Sequence, residues 1–263
     1  MPPSLLPELF DLVIDYLHDD PDTLKACCIV SKSCITPARK HLFARVKFDA
    51  YQSHLEVWKE TFPDPSNSPA HHTRSLFICG TLDITAADTG VGGWVRTFHN
   101  VTHLRLMRLD RASLTPFHGI SLAVRSLHLT YLTAEVFDLV CSFPLLEDLA
   151  LVTLYPESDT YRWDPPATSP KLTGTLNLQM QGRTYPVARR LLDLPDGLRF
   201  KGITASIFKE EIGSVVDLVS VCSGTLEYFT VLFIPSSEFP SAPATGQHLT
   251  VAYGYRRTQG GFP

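Results

Sequence analysis

Thr102–Asp110 reads THLRLMRLD, Arg125–Thr133 reads RSLHLTYLT and Glu147–Tyr155 reads EDLALVTLY. Laid under one another, they align Leu104-x-Leu106-x-x-Leu109, Leu127-x-Leu129-x-x-Leu132 and Leu149-x-Leu151-x-x-Leu154. Apolar residues separated by one spacer have the period of a β-strand with one buried face. The same opening recurs in RSLFICGTL from Arg74 and GTLNLQMQG from Gly174, and more weakly in KGITASIF from Lys201 and LEYFTVLFI from Leu226.

Taking Leu76, Leu104, Leu127, Leu149, Leu176, Ile203 and Phe229 as reference positions, the gaps are 28, 23, 22, 27, 27 and 26 residues. These lie in or near the leucine-rich repeat range of roughly 20 to 29. Helical patterns fall between the strands: GGWVRTF, AEVFDLVCSF, PVARRLLDL and EEIGSVVDLVSVC. Strand followed by helix at a steady period predicts a parallel sheet lined by helices, each unit burying its face by stacking on neighbours. The uneven gaps predict an irregular solenoid of about six or seven strands. Two segments rich in turn formers interrupt it, 62–72 (FPDPSNSPAHH, an exposed loop) and 155–170. The Pro-, Gly- and Ser-dense end, 235–263, predicts little fixed structure beyond a last strand.

The N-terminal stretch LLPELFDLVIDYLHDDPDTLKACCIVSKSC, Leu5–Cys34, has a different period. Leu6, Leu9, Val13, Ile14 and Leu17 follow helical spacing, with Pro7 in the first turn. Asp19-Asp20-Pro21 breaks that helix, and Asp22 or Thr23 is the expected cap of a second, through Leu24, Cys27 and Cys28. Thr36 and Pro37 read as the N-cap and first-turn proline of a third, ARKHLFARV. Charge divides sharply: every charged residue up to Asp22 is acidic, and every one from Lys25 to Lys47 is basic.

The chain has 263 residues, 44% of them hydrophobic, enough for a sizeable core. A net charge of −4 gives no general pull toward nucleic acid or anionic membrane. Its apolar runs are too short to span a bilayer, and the N-terminus lacks the basic flank of a signal peptide. Six cysteines, mostly in apolar surroundings, read as reduced, packed thiols of an intracellular protein.

Leu6-Pro7-Glu8-Leu9, Ile14, Leu17, Leu24-Lys25-Ala26-Cys27-Cys28, Val30-Ser31-Lys32, Ala38-Arg39 and Leu42-Phe43 together resemble the F-box, in the form it takes in expanded fungal, basidiomycete-type families. The resemblance covers about residues 4 to 46. It implies a three-helix module that docks a Skp1-type adaptor, and through it a cullin-RING scaffold, while the following repeats hold a protein substrate. Leu6, Pro7, Leu9, Ile14, Leu17, Leu24, Cys28, Val30 and Cys34 are then adaptor-facing or F-box-core residues, two roles the sequence does not separate. Cys34 stands where the family usually has tryptophan. If that space is unfilled, Cys34→Trp is expected to raise stability or adaptor affinity.

The expected fold is α+β: an N-terminal all-α three-helix F-box (4–48) followed by an irregular leucine-rich repeat-like α/β solenoid (49–234). By alternation Arg105, Arg108, His128, Tyr131 and Thr153 are outward positions, a candidate substrate face. The expected role is the substrate-recognition subunit of an SCF-type ubiquitin ligase, cytoplasmic and/or nuclear. It would have no catalytic residues, cofactor or metal and no nucleic-acid or membrane partner. The alternatives are an adaptor-independent leucine-rich repeat-like scaffold and a drifting F-box paralogue with weakened adaptor binding. No nucleophile elbow, phosphate loop, dinucleotide fingerprint or zinc-protease motif occurs. Gly90-Val91-Gly92-Gly93 reads as a turn leading into a helix, His71-His72 as a solvated pair, Asp19–Asp22 as a solvated turn, and Cys27 and Cys28 as packing residues.

Overall fold

A computed structural model of the chain describes residues 7–49, 54–80, 94–109, 111–131, 136–153, 167–179, 185–234 and 250–253. They build a nine-stranded sheet whose spatial order is the chain order: β1 (Arg45–Asp49), β2 (Ser75–Cys79), β3 (His103–Met107), β4 (Ser126–Thr130), β5 (Asp148–Val152), β6 (Thr175–Gln179), β7 (Gly202–Ile207), β8 (Tyr228–Phe233) and β9 (Thr250–Tyr253). Each neighbouring pair from β1 to β8 is parallel, and β9 closes the edge antiparallel to β8. The inward residues stand in register. One row runs Val46, Leu76, Leu104, Leu127, Leu149, Leu176, Ile203 and Phe229, and the next runs Phe48, Ile78, Leu106, Leu129, Leu151, Leu178, Ala205 and Val231. Apart from half-buried Phe229, both rows are buried, each fully buried leucine contributing about 1.5–3 kcal/mol.

The expectation of an α+β molecule, a three-helix F-box followed by an irregular leucine-rich repeat-like solenoid, is corrected: the fold is α/β. Arg45 and Val46, expected to continue the third helix, open β1, which crosses the expected 48/49 boundary and pairs with β2. The strands are also more regular than the repeat spacing suggests. Uneven gaps between reference residues are absorbed by the connections, because pairing energy depends on register within the strands and tolerates variable loops.

The extra spacer in Leu-x-Leu-x-x-Leu has a backbone cause. Arg108, Tyr131 and Thr153 each follow the last residue of a strand and have φ of 57°, 55° and 47°. Gly80, with φ 94°, holds the same place after β2. Each donates its N–H to the last strand residue of the next unit: Gly80 to Met107 O (2.9 Å), Arg108 to Thr130 O (3.0 Å), Tyr131 to Val152 O (3.0 Å) and Thr153 to Gln179 O (2.7 Å). The left-handed residue breaks the strand alternation by one position. Leu109 therefore returns to the core, 3% exposed.

Before the sheet come α1 (Pro7–Tyr16), α2 (Pro21–Val30) and α3 (Lys32–Leu42). Asp20, rather than Asp22 or Thr23, caps α2: its carboxylate accepts from the N–H and hydroxyl of Thr23, while Pro21 takes the first turn, where a missing N–H costs nothing. Ser31, rather than Thr36, caps α3 by accepting from Ser33 N, so Pro37 lies inside the helix. The connections carry α4 (His54–Thr61), α5 (Phe137–Cys141), α6 (Tyr185–Leu192) and α7 (Ile212–Cys222). The segment 62–72 is not simply an exposed loop: it forms two 3-10 turns, and Ser68 and Ala70 are 1% and 0% exposed. Of the second insertion, 155–166 lie outside the described residues, and its end is tied down where Ser169 N donates to Asp196 Oδ2 at 2.9 Å. Among the described residues, no helix is long and apolar enough to cross a membrane.

Candidate functional site

The N-terminal helices hold a small core of their own. Ile14, Leu24, Cys34 and Ala38 are buried there, and Phe10, Leu17, Cys27, Cys28 and Leu42 pack around them. His41 Nε2 lies 2.6 Å from Asp15 Oδ1, tying α3 to α1, and this hydrogen bond holds the Asp15 carboxyl below its usual range. Satisfying that core uses only one side of α1. On the other side Leu9, Leu12, Val13 and Tyr16 are 44%, 65%, 58% and 87% exposed, and on α2 Ile29 and Val30 are 87% and 82% exposed. Positions 9, 12, 13 and 16 are neighbours on a helix surface, so α1 presents a second, uncovered apolar stripe.

The structure thus separates residues the sequence had grouped together. Ile14, Leu24 and Cys34 are interior, Leu17 and Cys28 flank them, and Leu9 and Val30 face outward. Pro7 begins α1, and Leu6 lies outside the described residues. Leu12, Val13, Tyr16 and Ile29 escaped the sequence-level selection. Their signal was present, since apolar residues on more than one face of a short helix cannot all be covered within a module of that size.

The second surface is the outward face of the sheet. One row crosses all eight parallel strands: Lys47, Phe77, Arg105, His128, Ala150, Asn177, Thr204 and Thr230. Lys47 Nζ is 5.3 Å and Arg105 Cζ 5.0 Å from the Phe77 ring centroid, so the ring lies between two cations from the flanking strands. Arg108 Cζ lies 5.2 Å from the Tyr131 centroid. Burial, and then the charge of Arg105, push the His128 pKa below its usual value and favour the neutral imidazole.

Of the expected substrate-face residues, the structure brings Arg105 and His128 into one row and sets Arg108 and Tyr131 together just past the strand ends. Thr153 is corrected: it is 8% exposed and does not belong to the open face. Alternation does not orient Arg108, Tyr131 or Thr153, because each lies beyond its strand in the left-handed region. Lys47 and Phe77 were missed. RVKFD has the same inward alternation, Val46 and Phe48, as the other strands, but it directly follows a helical pattern.

Elsewhere the ionisable groups are dispersed. Among the described residues, no group of three or more His, Cys, Asp or Glu side chains could hold a metal ion. The His71 and His72 rings lie tilted against each other, centroids 3.9 Å apart, with His71 Nδ1 3.1 Å from Ser68 O. All six cysteines are free thiols, and burial pushes Cys141 up to about 11, opposite to what a nucleophile requires. Compared with known families and curated proteins, the chain matches no family model and no curated protein at a significant level.

Proposed function

We propose that this protein is the substrate-recognition subunit of an SCF-type ubiquitin ligase. Its N-terminal helices dock a Skp1-type adaptor, and through it a cullin-RING scaffold, while the outward face of the parallel sheet receives a protein substrate. The protein contributes binding and no bond chemistry, and it works in the cytoplasm and/or nucleus. The observation that carries this reading is the uncovered stripe Leu9, Leu12, Val13 and Tyr16, beside Ile29 and Val30. Water contact on that much apolar side chain is unfavourable, and an apolar partner surface would relieve it. The F-box resemblance of residues 4 to 46 supplies the partner's identity. The division between acidic residues up to Asp22 and basic residues from Lys25 would orient the encounter.

The test is co-purification of the full chain with a Skp1-type adaptor, beside a Leu12→Lys/Tyr16→Lys variant. Capture by the wild-type chain and loss in the variant support the reading. Absence of capture at micromolar adaptor overturns it. A second reading, an adaptor-independent interaction scaffold, is favoured by one observation: α3 leads directly into the edge strand β1 and packs on the 3-10 turn Pro69–His72, as a cap on the sheet would. Under that reading the chain purifies alone as a stable monomer, and the same variant changes nothing.

A further inference from the structure

The outward face carries an uneven charge. Arg45, Lys47, Arg105 and Arg108 are exposed on or beside β1 and β3, and among the described residues none of the four is in an ion pair. The described carboxylates on this face are already engaged. Asp49, half-buried at the end of β1, has interactions of its own, and Asp148 Oδ1 accepts the N–H of Thr175 at 2.6 Å and its hydroxyl at 2.8 Å. Past β3 the row runs on through His128, Ala150, Asn177, Thr204 and Thr230, and burial beside Arg105 favours neutral His128. Among the described residues the cationic surface of this face is therefore confined to β1–β3 and the turn after β3.

We propose that this face, centred on Lys47, Phe77 and Arg105 with Arg108 alongside, binds an extended acidic protein segment whose carboxylates recur about every third residue. This rests on the ligase reading and names its substrate class. The spacing follows from the fold. Lys47 and Arg105 are in register two strands apart, about 10 Å. An extended chain rises about 3.3 Å per residue, so three residues carry it from the strand bearing one cation to the strand bearing the other. Charges spread along a row suit several single carboxylates better than one phosphate, which calls for cations converging on a point. The aromatic rings sharpen the site by holding the cations in place. With the Phe77 ring between Lys47 and Arg105, and Tyr131 under Arg108, less side-chain freedom is lost when an anion arrives.

The experiment titrates the full chain, without adaptor, into a fluorescent peptide carrying Glu at every third position, and into its Gln counterpart. Variants are Lys47→Ala/Arg105→Ala, the charge reversal Lys47→Glu/Arg105→Glu, and Lys209→Ala as a control on the 3-10 turn leading into α7. The Glu peptide is expected to bind at least tenfold more tightly than the Gln peptide. The alanine pair should lose at least tenfold, the control should be unchanged, added salt should weaken binding, and the charge-reversed chain should prefer a Lys peptide. Equal affinity for Glu and Gln peptides overturns the proposal, as does undiminished binding by the alanine pair. Tighter binding of a single-stranded oligonucleotide of equal charge also overturns it, and would make the face a nucleic-acid surface. Because no adaptor is present, loss of the ligase reading and loss of the acidic-segment site are read separately.

Discussion

Arg108 and Tyr131 share one contact and one backbone conformation. The Arg108 guanidinium lies over the Tyr131 ring, 5.2 Å from its centroid, and both residues occupy the left-handed backbone region, at φ 57° and 55°. That conformation disfavours any side chain with a Cβ, yet it recurs at this point after β3, β4 and β5, while glycine fills it after β2. The turn requires the conformation, and the chain accepts the strain at positions where an arginine and a tyrosine are placed beside the cationic face.

Arg108→Gly should be more stable than Arg108→Val. Both variants lose the contact with Tyr131, so their comparison isolates the backbone. Glycine adopts positive φ freely and a β-branched residue adopts it worst, so a gap of about 1–2 kcal/mol is expected in urea unfolding. Equal stabilities would mean the turn relaxes out of the left-handed region.

The two sides of α1 should respond oppositely to substitution. Ile14, 2% exposed, anchors the small N-terminal core, and Ile14→Ala should cost about 2–5 kcal/mol. Leu12, 65% exposed, should tolerate Leu12→Lys within about 0.5 kcal/mol while abolishing adaptor capture. Thermal unfolding of the two variants, with capture measured on the second, checks both halves.

For Cys34 the packing reverses the expectation raised by its sequence position. Cys34 is 7% exposed against Ile14, Leu24 and Ala38, the last completely buried. An indole placed there overfills an occupied interior, so Cys34→Trp should lower stability by about 1–3 kcal/mol. Chemical denaturation of the variant beside wild type decides the sign.

Acid should weaken the fold in two stages. His72, His118 and His128 all have pKa values below the ordinary 6.5, chiefly because burial disfavours the imidazolium. A base whose pKa is depressed in the folded state takes up its proton more readily when unfolded. Stability is therefore full above about 6.5 and declines as pH falls below it. Asp15, Asp20 and Asp64 are held below the usual 3.8 by hydrogen bonds, so their contribution is lost only below that value. The urea midpoint should fall between about pH 7.5 and about pH 5.5, and His72→Gln with His128→Gln should flatten the decline.

Much of the molecule was legible from short-range pattern. Apolar residues two apart, starting at Leu76, Leu104, Leu127, Leu149, Leu176, Ile203 and Phe229, specified seven strands and which side of each is buried, because alternation is a local property of extended chain. The turn Asp19-Asp20-Pro21 stops α1 for an equally local reason, although the cap fell one residue before the proline instead of after it. β1 was hidden because Arg45 and Val46 continue the helical pattern ARKHLFARV, so its alternation does not stand apart as a separate period.

The sequence alone, then, determined the inward residues of β2 to β8, the N-terminal helical segments and the absence of familiar catalytic motifs, since each depends on residues a few positions apart. The tertiary structure decided that one sheet runs from Arg45 to the end of β9, with the expected module boundary falling inside its first strand. It also decided that Leu9 and Val30 face outward while Ile14 and Leu24 do not, and that Thr153 is buried. Only there do Lys47, Phe77 and Arg105 meet, from three strands separated by long connections. Which side chains become neighbours across strands is set by parallel register, a long-range pairing that no window along the chain contains.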